Sequence, residues 1–354
     1  MADLTFAQHG GWPVILGNLM EGISLSRDEA RTTMAEILDG AASPAQIAAY
    51  VVALRMKGET TDELVGMVDA MLAASTRVEI DTDGPVVDLV GTGGDRAHTI
   101  NVSTISALVV AGAGGKVCKH GNRAASSACG AADLLESLGV AIELGPVGVA
   151  RCVEAAGIGF CFAPRYHPAM RHAGPSRRDL GIPTAFNILG PLSNPGRVRR
   201  YLIGVADERM AERMAQVLRV NGATRALIVH GGDGLDELTT TGPSTVVELH
   251  DGEVSTWSVD PEELGLPRAD REDLVGGDAH LNAELARRIL AGEHGPHRDI
   301  ISLNAGAGLL AAGLATDLPA GIAAARASID SGAAVGALNK LVEVSQREAV
   351  AEQG

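Results

Sequence analysis

Apolar residues recur at helical spacing in the first part of the chain. The two clearest sets are Ile47, Tyr50, Val51 and Leu54, and Leu64, Val68, Met71 and Leu72. Capping-box sequences begin at Ser26, Ser43 and Thr60, each followed three residues later by Glu or Gln. The pattern predicts a helical unit over residues 12 to about 75. Its apolar face either buries against its own domain or forms a dimer contact.

The pattern changes after a polar linker at Thr76–Pro85, where short apolar runs begin to alternate with helical stretches. The strand candidates are Val86–Val90, Lys116–Lys119, Gly159–Ala163, Arg200–Val205 and Ala226–His230. The helix candidates are Ser103–Ala113, Ala128–Leu138, Val147–Ala156 and Glu208–Val220. This alternation predicts a mostly parallel central sheet covered by helices. The fold class is therefore α/β, with a small all-helical N-terminal domain at residues 1–80 and a large α/β domain at residues 81–354.

Two stretches depart from this alternation. His167–Pro195 is helical at first and is then broken by Pro183, Gly190, Pro191 and Pro195. Such an insertion could fold back onto the helical unit. After the last strand candidate, alternating residues predict a β-hairpin with its turn at Asp251–Gly252. Residues 282–353 are rich in Ala and Gly and predict further helices.

Composition and charge narrow the classes of ligand. Hydrophobic residues make up 46% and charged residues 21% of the 354 residues, which is typical of a globular protein with a large core. A formal net charge of −15 argues against general DNA or RNA binding, which requires a basic face. An aromatic content of 3% argues against base stacking as the main binding device. A phosphate ligand would need a local basic loop or a metal ion held by carboxylates.

The sequence predicts a reduced cytoplasmic setting. The N-terminus lacks the basic segment and the apolar core of a signal peptide, and no stretch is apolar enough over its length to span a bilayer. The four cysteines form no CxxC pair, so neither a disulfide nor a zinc site is expected.

A glycine-rich loop follows the first predicted strand. Gly91–Asp95 reads GTGGD and would let the backbone approach a ligand, although a tight strand–helix turn is the simpler explanation for a lone glycine cluster. The loop is not a Walker A sequence, and Arg96 stands where a dinucleotide fingerprint needs its third glycine. Asn101, Ser103 and Thr104 then either cap the next helix or contact phosphate and metal.

A second loop concentrates cations in this acidic chain. Lys119, His120, Asn122 and Arg123 lie at or just after the end of the second predicted strand, around Gly121. Such a run is either a solvated face or an anion site. The serine hydroxyls at positions 126 and 127 could add contacts to the anion or cap the following helix.

Acidic and basic residues farther along the chain complete the candidate chemistry. Asp236 and Glu237 are either solvated surface or a Mg²⁺ site, because hard carboxylate oxygens suit that ion. In the inserted segment, Arg177 and Arg178 are either helix-surface charge or a bidentate clamp for a carboxylate. No arrangement with the spacing of a covalent nucleophile is visible, so the sequence predicts a site for phosphate, metal and a second anion.

Taken together, these motifs resemble the anthranilate phosphoribosyltransferase family over nearly the whole chain. The matching stretches are GTGGD (Gly91–Asp95), NVST (Asn101–Thr104), KHGNRAASS (Lys119–Ser127), HPAMRHAGPSRRDLG (His167–Gly181), FNILGPLSNP (Phe186–Pro195), GLDELT (Gly234–Thr239), GGDAHLNA (Gly276–Ala283) and SLNAG (Ser302–Gly306). The resemblance implies an active site in the cleft between the two domains, with the 167–195 segment packed on the helical domain. It also implies a homodimer formed through the helical domain.

The resemblance further implies a role for individual residues. Phosphoribosyl pyrophosphate would be bound by Gly91, Gly94, Asp95, Thr99, Asn101, Ser103, Thr104, Lys119 and Ser127. Mg²⁺ would be organised by Ser103, Asp236 and Glu237. Anthranilate would be bound or lined by Gly91, His120, Asn122, His167 and Arg177. Ala131 departs from the family pattern, in which Ser is common, so one phosphate hydroxyl contact is expected to be lost or replaced by a backbone N–H.

The implied reaction is Mg²⁺-dependent transfer of the phosphoribosyl group to the amine of anthranilate, within tryptophan biosynthesis. An aniline nitrogen is already unprotonated at neutral pH, so no residue is assigned as a general base. Two rival interpretations are a pyrimidine nucleoside phosphorylase-like enzyme and a non-catalytic relative that binds nucleic acid. The FNILGPLSNP and KHGNR segments favour the transferase over the first, and the acidic charge and the Asp236–Glu237 pair count against the second.

Overall fold

The computed structural model describes residues 4–124 and 128–353. A helical unit opens the chain, with helices α1 (Gly11–Met20), α2 (Arg27–Leu38), α3 (Pro44–Lys57) and α4 (Thr61–Ala73). Ser26, Ser43 and Thr60 cap α2, α3 and α4, and each side chain accepts from the backbone N–H three residues on at 3.3 Å. In each case the third residue bonds back to the cap, so the predicted capping boxes are confirmed.

A mixed β-sheet forms the centre of the larger domain, and its seven strands within the described residues have the order β3-β2-β1-β4-β5-β6-β7. The strands are β1 (Val86–Gly91), β2 (Lys116–Gly121), β3 (Ile158–Phe162), β4 (Arg200–Gly204), β5 (Arg225–Gly231), β6 (Ser244–His250) and β7 (Glu253–Val259). Strands β1 to β5 pair in parallel, and β6 and β7 add an antiparallel hairpin. The predicted turn at Asp251–Gly252 is present, with both residues at positive φ.

Further helices belong to this domain, and some of them pack on the sheet while the others pack on those helices. They are α5 (Val102–Gly112), α6 (Ala131–Ser137), α7 (Pro146–Ala156), α11 (Ala211–Val220), α12 (Ala279–Leu290), α13 (Pro296–Ala312), α14 (Leu318–Asp330) and α15 (Ala333–Ala351). Helix α13 is buried continuously from Ile300 to Ala312 and packs against α5, β1 and β4. The helix predicted from Ala128 begins instead at Ala131, because Gly130 is extended and its N–H bonds the Asp133 side chain at 2.9 Å.

The segment after β3 carries α8 (Ala163–Tyr166), α9 (Gly174–Leu180) and α10 (Phe186–Leu192). It contacts the helical unit, where Ser176 Oγ donates to Pro44 O at 3.2 Å and α10 packs against α4. The break predicted at Gly190 and Pro191 is wrong, since α10 continues through both residues. Proline lies in the last turn there, where its missing N–H removes one helical hydrogen bond.

Backbone hydrogen bonds tie the linker between the two parts to this same segment. The N–H of Thr76 donates to Tyr166 O at 2.9 Å, and that of Val78 donates to Pro195 O at 3.1 Å. Across the described residues, no helix has the combined length and apolarity needed to cross a membrane.

Candidate active site

Glycines end β1 and β4 at the point where the strand order reverses direction. Parallel sheets commonly bind ligands at the carboxyl ends of the strands beside such a switch point. A Cβ on Gly91 would lie 2.3 Å from Asp236 Oδ2, and one on Gly204 would lie 1.5 Å from Asp236 O. Only glycine therefore allows the loop that carries Asp236 to seat directly on the strand ends.

Backbone amides connect the acid pair to the glycine-rich loop and to α5. The N–H of Gly93 donates to Asp236 Oδ2 at 2.7 Å, and the N–H of Ser103 donates to Glu237 Oε1 at 3.1 Å. Ser103 lies in the first turn of α5, where helical N–H groups lack partners within the helix. The two carboxylates, far away in sequence, thus meet both parts of the Gly91–Thr104 stretch.

A bridge of side-chain amides braces the start of α5. Asn101 occupies the N-cap position without capping the helix; its Nδ2 donates instead to Cys129 O at 2.9 Å. Asn282 Nδ2 donates in turn to Asn101 Oδ1 at 2.9 Å, and Asn282 Oδ1 accepts from Gly277 N at 2.8 Å. Through Asn282, the GGDAHLNA stretch therefore holds the start of α5. Thr99, just before that helix, also forms a backbone β-bridge with Val275.

Lys119 is buried beside the acid pair. Its ammonium donates to Leu89 O and, at 3.2 Å, to Ser103 Oγ. Burial lowers the pKa of Lys119, while the negative charges of Asp88 and Glu237 act in the opposite direction. Asp88 is itself fully buried and accepts from His120 N–H at 3.1 Å and from Asn194 Nδ2 at 2.7 Å.

The acid pair is not solvated surface, since Asp236 and Glu237 are each only 8% exposed. Burial, together with the nearby charge of Asp95, raises the pKa of Asp236 to about 8. The pKa of Glu237 is raised well above its ordinary value by burial and by Asp236. Like charges held together in a poorly solvated place would be relieved by a cation.

This donor set fits Mg²⁺. Two buried carboxylates and the Ser103 hydroxyl are hard oxygen ligands of the kind that ion prefers. Among the described residues, no three carboxylate, imidazole or thiolate groups form a ready-made metal cage. Incomplete protein coordination is the usual case for Mg²⁺, which takes its other ligands from substrate phosphates and water.

His120 and His167 form a buried pair of neutral imidazoles. Their ring centres are 5.0 Å apart, and burial lowers the pKa of His120 to about 3 and that of His167 to about 4. His120 Nδ1 lies 3.0 Å from Gly190 O, and a carbonyl only accepts, so Nδ1 carries the hydrogen. His120 Nε2 is then an acceptor, and it is buried without a partner among the described residues. His167 Nε2 similarly faces Ser193 O at 3.0 Å.

The two arginines of the candidate site, Arg177 and Arg123, differ in whether a carboxylate of the protein already pairs with them. The Arg177 guanidinium lies 5.6 Å from the centre of the Phe186 ring, and its surroundings lower its pKa by desolvation although part of the side chain is exposed. Within the described part of the chain, no carboxylate acts on the pKa of Arg177 or pairs with its guanidinium. Arg123 instead pairs with Asp133 and Glu136, at 2.9 and 2.8 Å.

Comparison with known proteins bears on this geometry. Residues 13–75 match a model described as "Glycosyl transferase family, helical bundle domain", and residues 83–335 match "Glycosyl transferase family, a/b domain". Anthranilate phosphoribosyltransferase of Salinispora arenicola is 52% identical over 341 residues, covering 94% of this chain and 96% of the relative. The enzyme of Chloroflexus aggregans is 54% identical over 327 residues, with 92% and 96% covered. The chain belongs to the anthranilate phosphoribosyltransferase family.

Solved structures of anthranilate phosphoribosyltransferases share the fold. The Thermus thermophilus enzyme superposes with a TM-score of 0.89 at 43% identity, covering 94% of this chain and 99% of that one. The Saccharomyces cerevisiae enzyme in complex with PRPP (phosphoribosyl pyrophosphate) and Mg has a TM-score of 0.85 at 27% identity, with 96% and 99% covered. The predicted fold class and the predicted glycosyltransferase class are thereby confirmed.

Many of the site residues predicted for an anthranilate phosphoribosyltransferase lie at one edge of the sheet. Contacts described above connect Gly91 with Asp236, Ser103 with Glu237, and Lys119 with Ser103. Asn101 lies two residues before Ser103, and its side chain bonds to Cys129 O. Gly94 and Asp95 continue the GTGGD loop, and Thr104 follows Ser103 with a buried hydroxyl that lacks a partner in the described residues. Asn122 is exposed after β2, and Ser127 lies outside the described residues.

Sequence reasoning did not identify Asp88, Asn194, Asn282 or Asn304 as supports of this site. Asp88 carried a visible signal, because a carboxylate inside the apolar run VVDLV needs hydrogen-bond partners. The asparagines carried none, since the hydrogen bonds that connect them to the site join residues more than 60 positions apart along the chain.

Proposed function

We propose that this chain transfers the phosphoribosyl group of phosphoribosyl pyrophosphate to the amine of anthranilate. The products are N-(5-phosphoribosyl)anthranilate and pyrophosphate, and the step belongs to tryptophan biosynthesis. The observation that carries the proposal is the meeting of Asp236 and Glu237 with Gly93 N–H, Ser103 N–H and Lys119 at one sheet edge. That arrangement suits a Mg²⁺-bound polyphosphate.

The phosphate side of the site would use the loop and the first turn of α5. The proposed phosphoribosyl pyrophosphate ligands are Gly91, Gly94, Asp95, Thr99, Asn101, Ser103, Thr104, Lys119 and Ser127. The loop residues offer backbone N–H groups, and a helix N-terminus favours bound anions. The Lys119 ammonium would offset negative charge that grows on the departing pyrophosphate.

Mg²⁺ would be held by Asp236, Glu237 and Ser103, with phosphate oxygens and water as further ligands. When bound, the ion supplies electrostatic stabilisation of the leaving pyrophosphate. The chain contributes by holding the two carboxylates close together in a buried loop, where their interaction with a cation is strong.

The acceptor side would use Asn122, Arg177, His120, His167 and Gly91. The Arg177 guanidinium, free of a carboxylate partner in the described residues, suits a bidentate contact with the carboxylate of anthranilate. His120 and His167 are both neutral imidazoles, so neither carries a positive charge that would attract the substrate in the wrong orientation. The amine of anthranilate needs no general base, so orientation of the two substrates supplies much of the rate.

We further propose a homodimer formed through the helical domain, in the cytoplasm. The domains would be residues 1–80 together with the inserted segment at about 167–195, and residues 81–354. Exposed apolar side chains on the helical unit support the dimer, with Met20 82% and Met56 83% exposed and Val14 44% exposed. The absence of a CxxC pair among the four cysteines supports the reduced compartment.

An anthranilate fluorescence assay tests this function. When phosphoribosyl pyrophosphate is added to the protein with anthranilate and Mg²⁺, the fluorescence of anthranilate should fall as anthranilate is consumed. EDTA should prevent this loss. Phosphorolysis of a pyrimidine nucleoside with no change in anthranilate would favour the phosphorylase-like alternative. Tight binding of an oligonucleotide without turnover would favour the non-catalytic one.

A further inference from the structure

The SLNAG stretch has no role in the proposed chemistry, yet it supplies a fully buried polar side chain next to the acid pair. Asn304, on α13, has an exposed fraction of 0%. Its Oδ1 accepts from Leu238 N–H at 3.0 Å, and its Nδ2 donates to Leu238 O at 2.8 Å and to Ile300 O at 2.9 Å. One side-chain amide therefore binds both polar groups of a single loop residue.

The bonded residue is the immediate neighbour of Glu237. The N–H of Leu238 belongs to the planar peptide unit that also contains the carbonyl of Glu237. Fixing that N–H fixes the orientation of the whole unit, and the Leu238 carbonyl is held at the same time. Asn304 thus constrains the backbone on the C-terminal side of Glu237, while Gly91 and Gly204 seat the neighbouring Asp236 on the strand ends.

The acid pair needs such a constraint. Asp236 and Glu237 repel each other and Asp95 when ionised, so without restraint the loop would relax towards solvent. Asn304 can resist this because α13 is a continuously buried helix packed on β1 and β4. Removing the amide would also leave a buried N–H and a buried C=O of Leu238 without partners.

We propose that Asn304 is a positioning residue, which holds the Asp236–Glu237 loop in the geometry that binds Mg²⁺ together with the polyphosphate substrate. This inference rests on the proposed function for the identity of the substrate. It assigns Asn304 no contact with substrate or metal. Its effect passes through the Leu238 backbone to the two carboxylates.

The test compares Asn304→Leu, which has similar size but no hydrogen bonds, with Ser328→Ala as a matched control. Ser328 is 4% exposed and donates to Val109 O at 2.9 Å, so its loss also removes a buried hydrogen bond, but on α14 and away from the acid pair. Three quantities are measured besides the melting temperature. They are the half-saturating Mg²⁺ concentration with the KM for anthranilate, and the affinity for Mn²⁺ in the presence of phosphoribosyl pyrophosphate, read by electron paramagnetic resonance.

Asn304→Leu should weaken both metal measures by about tenfold or more, with the KM for anthranilate changed by less than about twofold. Ser328→Ala should lower the melting temperature and leave both metal measures unchanged. A folded Asn304→Leu protein with wild-type metal affinity would overturn the inference. If that variant does not fold, Asn304→Ser is judged by the same two outcomes.

The Mn²⁺ measurement separates this inference from the proposed function. If the wild-type protein binds Mn²⁺ with phosphoribosyl pyrophosphate but consumes no anthranilate, the proposed function fails. The role of Asn304 is still decided by whether its variant weakens Mn²⁺ binding.

Discussion

Replacing Gly91 by alanine should damage the site through a single methyl group. The φ of Gly91 is not positive, so alanine is compatible with the backbone conformation. The new Cβ, however, would lie 2.3 Å from Asp236 Oδ2 and 3.1 Å from Asp236 Cγ. Ordinary contacts begin at 3.4 Å, so the carboxylate has to move by about 1 Å.

That displacement sets the size of the expected effect. A misplacement of about 1 Å in a catalytic group can cost about a hundredfold in rate. The shift also breaks the Gly93 N–H bond to Asp236, now 2.7 Å, at a cost to folding of about 1 kcal/mol. We therefore expect kcat to fall by about a hundredfold while the melting temperature changes by only a few degrees. Initial rates of anthranilate consumption and thermal unfolding measure the two effects.

Gly336→Ala is the matched control, because Gly336 lies in α15 with open space at its Cβ position. This substitution should leave kcat unchanged and slightly raise stability, since alanine favours helix. Wild-type kcat and an unchanged Mg²⁺ requirement in Gly91→Ala would refute the tight seating of Asp236 as a condition for activity.

Three further predictions concern charge. Arg177→Ala should raise the KM for anthranilate by about tenfold or more and barely affect the KM for phosphoribosyl pyrophosphate, because it removes a charge-assisted contact with the carboxylate of anthranilate. Arg178→Ala is the control. Equal changes in both KM values would contradict the role of Arg177 in binding that carboxylate. Asp236→Asn combined with Glu237→Gln should abolish Mg²⁺-dependent turnover. It should not lower the melting temperature, since neutral side-chain amides do not repel each other as two carboxylates do. Retained turnover would show that the two carboxylates do not bind the metal and have only a structural role. Because burial lowers the pKa of His167 to about 4, only the unfolded chain gains this proton between about pH 6.5 and 4, so the free energy of unfolding should fall over that range, by up to about 3 kcal/mol for this residue. Denaturant titrations of His167→Phe should show a shallower loss than the wild type, and identical pH slopes would contradict the buried neutral imidazole.

Much of the fold followed from local chemistry. The capping boxes at Ser26, Ser43 and Thr60 need only residues within one helical turn, and the Asp251–Gly252 hairpin needs only a turn between alternating strands. Such signals lie within a few residues of each other, so they can be recognised in the sequence. The break expected at Pro191 failed because tertiary packing of α10 outweighed the local effect of proline.

The support of the site could not be predicted in the same way. Asn304 and Leu238 are 66 residues apart, and Asn282 and Asn101 are 181 apart. Nothing local distinguishes a buried asparagine that binds a distant backbone from one on the surface. The electrostatics of Asp236 and Glu237 were also hidden, because their raised pKa values come from burial and from Asp95 across the sheet edge.

We propose that one site at the carboxyl ends of β1 and β4 transfers the phosphoribosyl group of a polyphosphate substrate to an aromatic amine and releases pyrophosphate. Pyrophosphate release and anthranilate consumption should be measured together in the wild-type protein with Mg²⁺ and phosphoribosyl pyrophosphate. We predict release of one pyrophosphate for each anthranilate consumed, and no pyrophosphate release when anthranilate is omitted. Pyrophosphate release without anthranilate consumption, or no release at all, would contradict the account.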